Sequence, residues 1–247
     1  MIPKRVIVNG AYGKMGRFAC TTLAEHPEFE LVASLGREDN LAKAIQSQQP
    51  DIVVDLTRAD SIYNNALTII EAGVHPVIGT SGLLDAQIKD LRERSKLKNC
   101  GGIIVPNFSI SAVLMMRFAA MAARYLPNVE IIEAHHPQKA DAPSGTAIKT
   151  ADMIADARGH VPEPVLCTEL FPGALGAKYR EIPIHAIRLP GVLAEQQVIF
   201  GNQGETFSLS HRTLDRASFM PGLVLACQRV TSLETLYYGL ETLLDGQ

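Results

Sequence analysis

Short apolar runs alternate with longer amphipathic stretches through the first part of the chain. Lys4 to Asn9 (KRVIVN), Glu30 to Leu35 (ELVASL), Asp51 to Asp55 (DIVVD), His75 to Ile78 and Gly102 to Val105 are predicted strands. Between them, the stretch from a glycine turn to about Ala24, then Ala59 to Ala72 and Asp85 to Lys96, carry apolar residues at helical spacing. Strands separated by helices in this way imply right-handed crossovers and a parallel sheet. The pattern then changes. Ser111 to Leu126 predicts a long apolar-rich helix, Val129 to Ala134 (VEIIEA) a strand and Ala147 to Ala157 a helix. Val161 to Lys178 has no period and reads as a long loop. Three strands follow, Ile182 to Arg188, Leu193 to Phe200 and Glu205 to Arg212, with turns at Leu189-Pro190-Gly191 and Gly201-Asn202-Gln203-Gly204. Thr206, Ser208 and Ser210 alternate with Phe207, Leu209 and His211, which suits a sheet with two different faces. This segment predicts a largely antiparallel meander, and so a second domain. Two predicted helices, about Arg216 to Thr231 and Leu233 to Leu244, close the chain.

At 247 residues the chain can hold one large core or two modest domains. A net charge of −3 and a pI near 6.2 give no reason to expect binding to nucleic acid or to an anionic membrane. No apolar run approaches the ~20 residues needed to span a bilayer. The stretch MIPKRVIVNGAYG leads directly into a strand and lacks a signal-peptide pattern, so the expectation is a cytoplasmic protein. Cys20, Cys100, Cys167 and Cys227 form no CxxC pair and no zinc-ligand spacing, and are expected to be reduced. No metal is expected.

The first strand runs into Gly10-Ala11-Tyr12-Gly13-Lys14-Met15-Gly16 and then a helix. Strand, glycine turn and helix form the context of a dinucleotide fingerprint, in which the backbone approaches a pyrophosphate and the helix start meets its charge. Tyr12 stands where the usual motif has its second glycine. The second strand ends Leu35-Gly36-Arg37. NAD sites place an acid near that end for the ribose 2′-OH, whereas NADP sites favour an Arg for the 2′-phosphate. Gly36 followed by Arg37 therefore favours NADPH, with NADH also usable. The alternative is that Glu38 or Asp39 takes the ribose and Arg37 stays solvated. In parallel sheets ligands sit beyond the carboxyl ends of the strands. Gly79-Thr80-Ser81 and Val105-Pro106-Asn107-Phe108 fall there and are expected to complete the cofactor site.

The densest polar chemistry lies in Glu133 to Ala147 (EAHHPQKADAPSGTA). Ser144-Gly145-Thr146 falls at a predicted helix start, where unpaired N–H groups and the positive dipole end favour anions. Lys139 adds a cation, and His135 a group that trades a proton near neutral pH. Adjacent strand residues face opposite ways, so His135 and His136 are badly placed to share a metal. The combination suggests a site for a small carboxylate beside a proton donor.

The segments VNGAYGKMG, DLTR, GTSG, PNFS, EAHHPQKADAPSGTA, HAIRLPG, VIFGNQGETFSLSH and RASFMPG, in this order, resemble those of the dihydrodipicolinate (4-hydroxy-tetrahydrodipicolinate) reductases of lysine biosynthesis. The resemblance covers essentially the whole chain. It implies an α/β fold, with a Rossmann-type parallel sheet formed by residues 1–108 and completed by C-terminal helices in 215–247. It also implies an inserted α+β domain, 109–214, with a mostly antiparallel sheet that binds substrate and makes the contacts of a homotetramer. The implied reaction is the pyridine-nucleotide-dependent reduction of a cyclic imine dicarboxylate to tetrahydrodipicolinate. By matching positions, His135 is the proton donor/acceptor and Lys139 a second proton donor and carboxylate partner. His136, Ser144, Gly145 and Thr146 bind substrate. Gly10, Ala11, Tyr12, Gly13, Lys14, Met15, Arg37, Gly79, Thr80, Ser81, Val105, Pro106, Asn107 and Phe108 bind the cofactor.

Two positions depart from the family pattern. Many members carry an acid where this chain has Gly36, and a proline where it has Ala59. Arg188 and His211 lie in family-like segments, with a structural or interface role expected for each. Another Rossmann-type reductase, or a redox-sensing nucleotide-binding protein, are the competing readings. The first offers no reason for the PSGT helix start with Lys139, and the second leaves His135 and Lys139 without work.

Overall fold

The computed structural model describes residues 2–163 and 166–244. The chain runs β1 (Lys4–Asn9), α1 (Lys14–Glu25), β2 (Phe29–Leu35), α2 (Leu41–Gln48), β3 (Ile52–Asp55), α3 (Ile62–Glu71), β4 (His75–Ile78), α4 (Asp85–Leu97), β5 (Gly102–Ile104) and α5 (Ile110–Ala123). It continues with β6 (Asn128–His135), α6 (Gly145–Ala157), β7 (Ala177–Tyr179), β8 (Ile182–Arg188), β9 (Ala194–Asn202), β10 (Glu205–Thr213), α7 (Met220–Arg229) and β11 (Leu236–Tyr238). Two compact units result: Met1–Ile110 with Arg216–Gln247, and Ser111–Asp215.

The first unit is a six-stranded sheet in the order β11-β5-β4-β3-β1-β2, with every pair parallel. All four residues of β3 are buried, as expected for a central strand covered on both faces. Ile7, Ile45, Val53, Ile69 and Val74 form one core cluster. Ile62, Ile70, Ile78, Leu91, Ile104 and Leu236 form another. Chain order reverses at β1, with β2 on one side and β3 on the other, so the carboxyl ends of β1 and β3 flank the switch point at which such sheets bind ligands.

Three expectations fail in this unit. Leu41–Gln48, for which no helix was predicted, is α2, capped by the Asn40 side chain accepting from the Lys43 N–H at 3.0 Å. The predicted helix from Ala59 starts only at Ile62. The predicted second C-terminal helix, Leu233 to Leu244, is instead the strand β11 followed by a short 3-10 turn at Leu240–Leu243. β11 adds to the sheet edge beside β5, so one C-terminal helix and one strand complete the sheet where two helices were expected.

The second unit is a five-stranded sheet in the order β10-β9-β6-β8-β7. Antiparallel pairs dominate, but β6 and β8 run parallel. The predicted meander is therefore corrected: β8 and β9 lie on opposite sides of β6 and do not pair with each other. The predicted loop over Val161 to Lys178 ends in β7, and Pro164 and Val165 within it lie outside the described residues. One face of the sheet carries Val129, Ile131, Ile182, Ile184, Val198 and Phe200, packed with Ala119, Ala147, Ala151 and Ile154 of α5 and α6. Phe207 and Leu209 pair with Phe200 and Val198 and share that face, so the alternation along β10 does separate two faces. Among the described residues no helix is long and apolar enough to cross a membrane.

Candidate active site

In the first unit, the turn after β1 is the cradle expected of a nucleotide site. Gly10 has φ +87°, and a Cβ there would stand 2.6 Å from the Leu56 carbonyl oxygen. A Cβ on Gly16 would stand 2.1 Å from the Gly10 carbonyl oxygen, so only glycine lets α1 sit this close to the turn. The N–H groups of Gly10 and Ala11 both donate to the Leu35 carbonyl, at 3.0 and 2.9 Å, fixing the turn to the end of β2. Helix α1 has Gly13 at its N-cap and no side chain capping it. Tyr12, Lys14, Arg17, Phe18, Arg216 and Met220 line a cleft beside this turn, with three cations around an apolar floor.

The end of β2 bears on cofactor choice. The ring of Tyr12 covers Gly36, where a Cβ would lie 2.8 Å from the ring carbons. The Asp39 carboxylate accepts the Gly36 N–H at 2.7 Å. Arg37 is exposed. Gly79 packs between Phe108 and Leu56, which brings the second and third predicted loops together. Phe108 and Val105 are buried, and the Val105 N–H donates to the Ile78 carbonyl at 2.7 Å.

Beneath these loops sits Asp55, fully buried at the end of β3. It accepts from Asn9 Nδ2 at 2.9 Å, Asn65 Nδ2 at 2.9 Å, the Thr57 N–H at 3.0 Å, the Thr57 hydroxyl at 2.6 Å and the Thr80 hydroxyl at 3.3 Å. These donors come from β1, the loop after β3, α3 and the loop after β4. One carboxylate thus ties together the elements that converge on the switch point.

In the second unit, His135 ends β6 with its side chain 16% exposed. Its Nδ1 lies 2.6 Å from Glu133 Oε2. Residues two apart on a strand share a face, which places Glu133 on the core side with Val129 and Ile131. Glu133 is fully buried, and Arg188 Nη1 and Nη2 donate to its two oxygens, both at 2.9 Å. The Ser144 N–H donates to Glu133 Oε1 at 3.1 Å. Burial alone would raise the Glu133 pKa; the His135 and Arg188 partners outweigh it and hold the carboxyl below its ordinary value.

Helix α6 starts where the pattern required. Ser144 is its N-cap, with the hydroxyl accepting the Ala147 N–H at 3.2 Å. Ser144 is buried and spends both its hydroxyl and its N–H inside the protein, whereas Gly145 opens onto empty space around its Cα. Lys139 Nζ is paired with both oxygens of Asp141, at 2.8 and 2.9 Å, and lowers the Asp141 pKa. Nδ1 of His136 is buried and has no hydrogen-bond partner among the described residues. His135, His136, Lys139 and the Ser144–Thr146 helix start thus come from one continuous run between β6 and α6.

Sequence reasoning passed over Asp55 and Glu133. A signal existed for each, since both are carboxylates on otherwise apolar, buried strand faces. Arg188, for which a structural or interface role is expected, donates to the same Glu133 carboxylate that contacts His135.

A doubly wound sheet with a glycine cradle, and a second sheet ending in a His–Glu pair beside a capped helix start, define a two-unit oxidoreductase of the Rossmann type. Family models described as dihydrodipicolinate reductase, N-terminus and C-terminus, match residues 4–108 and 111–244. The chain belongs to the dihydrodipicolinate reductase family. It is 58% identical over 240 residues to the 4-hydroxy-tetrahydrodipicolinate reductase of Legionella pneumophila (strain Lens), covering 97% of this chain and 99% of that one. It is 48% identical to the enzyme of the same name from Coxiella burnetii (strain Dugway 5J108-111), over 97% and 98% of the two chains. Among solved structures, the dipicolinate-bound dihydrodipicolinate reductase from Paenisporosarcina sp. TG-14 matches with a TM-score of 0.90 at 41% identity, covering 98% of this chain and 100% of that one. An amine dehydrogenase from Mycobacterium smegmatis, at 12% identity and a TM-score of 0.67, shares the fold over 96% and 95% of the chains.

Proposed function

We propose that this chain reduces 4-hydroxy-tetrahydrodipicolinate, or the dihydrodipicolinate formed from it by loss of water, to tetrahydrodipicolinate, with a nicotinamide nucleotide as reductant. The observation that carries the reading is the His135–Thr146 run, which sets a histidine, a lysine and a capped helix start within one connection of a chain of this family. Residues 1–108 with 215–247 bind the nucleotide, and 109–214 bind the substrate.

The cradle fits the cofactor, because Gly10 allows the tight turn after β1, Gly16 lets α1 pack against that turn, and the α1 N-terminus carries Gly13 in place of a capping side chain. Gly10 to Met15, Gly79 to Ser81 and Val105 to Phe108 hold it. A bound reduced nicotinamide supplies hydride. The remaining chemistry belongs to the chain. Hydride addition to a conjugated imine leaves an enamine-like anion that needs a proton, and His135 delivers it. Lys139 leaves Asp141 for a substrate carboxylate and serves as a second proton donor. His136, Gly145 and Thr146 bind the substrate directly, with Ser144 holding the helix start in place.

NADPH is the preferred nucleotide. No acid stands at Gly36, the Asp39 carboxylate is engaged by the Gly36 N–H, and Arg37 is exposed to meet a 2′-phosphate. The protein is a cytoplasmic homotetramer assembled through the second sheet. The face of that sheet away from α5 and α6 carries Ile132, Ala134 and Ile199, only half-buried in the single chain, and Ile187, 43% exposed.

A coupled assay tests the reaction. Substrate condensed enzymatically from pyruvate and aspartate semialdehyde is supplied, and nucleotide oxidation is followed with NADPH and then NADH. Substrate-dependent oxidation, faster with NADPH, is expected. His135→Ala is expected to lower kcat by roughly 10²–10⁴-fold, the range of general acid–base groups. Folded protein that binds nucleotide but oxidises none of it would remove the substrate assignment.

A further inference from the structure

His135 does not stand alone at the end of β6. Its Nδ1 is 2.6 Å from a carboxylate with no exposure to solvent. A carboxylate only accepts, so Nδ1 carries the hydrogen and Nε2 is the nitrogen left to exchange a proton. The same carboxylate takes the Ser144 N–H at 3.1 Å, on the helix start where Gly145 and Thr146 follow. Arg188 spans both of its oxygens and also donates from Nη2 to the Asp141 carbonyl at 2.6 Å, within the loop that carries Lys139. In the parallel β6–β8 ladder, Arg188 is the register partner of His135. Three parts of the His135–Thr146 run thus refer back to one buried ion pair: the imidazole, the Asp141 loop and the helix cap.

We propose that Glu133, clamped by Arg188, is the positioning residue of the proton-transfer group, fixing the His135 tautomer and ring and locking it in register with the Gly145–Thr146 cradle. The proposal rests on the reading of His135 as the proton donor. A bland account exists, since a buried carboxylate with an arginine can serve only to hold two strands together. The two accounts separate because removing both members of a buried ion pair is often nearly neutral for stability, whereas removing one leaves a buried uncompensated charge.

The experiment compares wild type, Glu133→Gln, and the double variant Glu133→Gln with Arg188→Met, by thermal unfolding, steady-state kinetics and ¹⁵N NMR of the histidine rings. Glu133→Gln alone is expected to lose stability as well as activity. The double variant is expected to unfold close to the wild-type temperature yet keep a kcat loss of about 100-fold, with KM raised less than about 5-fold. In wild-type protein without substrate, His135 is expected as the Nδ1–H tautomer when neutral, and as a mixture of tautomers in both variants. A double variant that regains both melting temperature and kcat would reduce Glu133 and Arg188 to a strand brace. A wild-type His135 protonated on Nε2 would overturn the proposal by itself. Indifference of wild-type turnover to His135→Ala would instead overturn the proton-donor reading, while the tautomer measurement still reports on what Glu133 does.

Discussion

Replacing Asp55 by alanine tests whether one buried carboxylate organises the nucleotide end of the first sheet. The substitution removes the acceptor for Asn9, Asn65, Thr57 and Thr80 together. These losses do not simply add. Thr57 and Asn65 are half-buried and bond to each other at 3.1 Å, so they can turn to water or to one another. The Thr80 bond, at 3.3 Å, is the weakest. Asn9 is only 6% exposed, and its amide is stranded at a cost of about 1–3 kcal/mol. Losing the charge-assisted Thr57 N–H bond adds about 1.5 kcal/mol or more. The expected total is about 3–4 kcal/mol, which for a chain of this size lowers the melting temperature by roughly 6–16 °C. Asp55→Asn keeps the shape but turns an N–H₂ toward donors, and should fall between wild type and alanine.

The assay is calorimetry paired with equilibrium binding of NADPH followed by fluorescence. Binding should weaken about 10-fold or more in Asp55→Ala, because the loops after β3 and β4 lose their common anchor. A melting temperature within about 2 °C of wild type would show that the donors find other partners and that the network is dispensable. A large loss of stability with unchanged affinity would refute the second half of the argument. Asp55 would then brace the sheet without ordering the loops.

Other outcomes follow from the same geometry. Gly36→Asp should weaken NADPH binding without gaining NADH affinity, since the new Cβ meets the Tyr12 ring at 2.8 Å; adding Tyr12→Gly should release an NADH gain, read by equilibrium binding. If the single variant gains NADH as well as the double, Tyr12 plays no part. The depressed Glu133 pKa means that its ionised form stabilises the fold above the unfolded value of about 4.3, and that this contribution disappears as pH falls through the lower folded value. The stability gap between wild type and Glu133→Gln should therefore shrink as pH falls below about 4.3; a gap that widens there would contradict the sign. Burial pushes the Cys100 thiol up to about 11 and Cys227 to about 12, while Cys167 is exposed. Iodoacetamide should alkylate Cys167 in the native protein and reach Cys100 and Cys227 only after denaturation, as mass spectrometry would show.

What was legible in the sequence was whatever lay in local periodicity. The parallel sheet, the glycine turn and the Ser144 cap each follow from a short window of residues. What was missed depended on which element meets which. Leu236-Tyr237-Tyr238 sits among leucines at helical spacing and becomes a strand only because β5 offers it an open edge. Asn40 is an ordinary cap signal, but the helix it begins, LAKAIQSQ, buries only Ile45 and has little apolar pattern to announce it. The strand over Ile182 to Arg188 was legible, but its partner was not, because the Leu189-Pro190-Gly191 turn reads as a hairpin. That error had a chemical consequence. As a hairpin partner of β9, Arg188 belongs to a sheet edge. As the parallel neighbour of β6, it lies in register with His135 and reaches Glu133. Strand pairing thus decides whether Arg188 reads as surface or as part of the candidate site, and pairing is a property of the whole chain. The buried carboxylates point the other way. Asp55 and Glu133 each interrupt an apolar strand face at its carboxyl end, and each turns out to collect donors from several neighbouring segments. A charge placed where burial would otherwise expel it needs such partners. An acid near the carboxyl end of a buried strand is therefore a local signal of a non-local convergence, and it can be read before any partner is known.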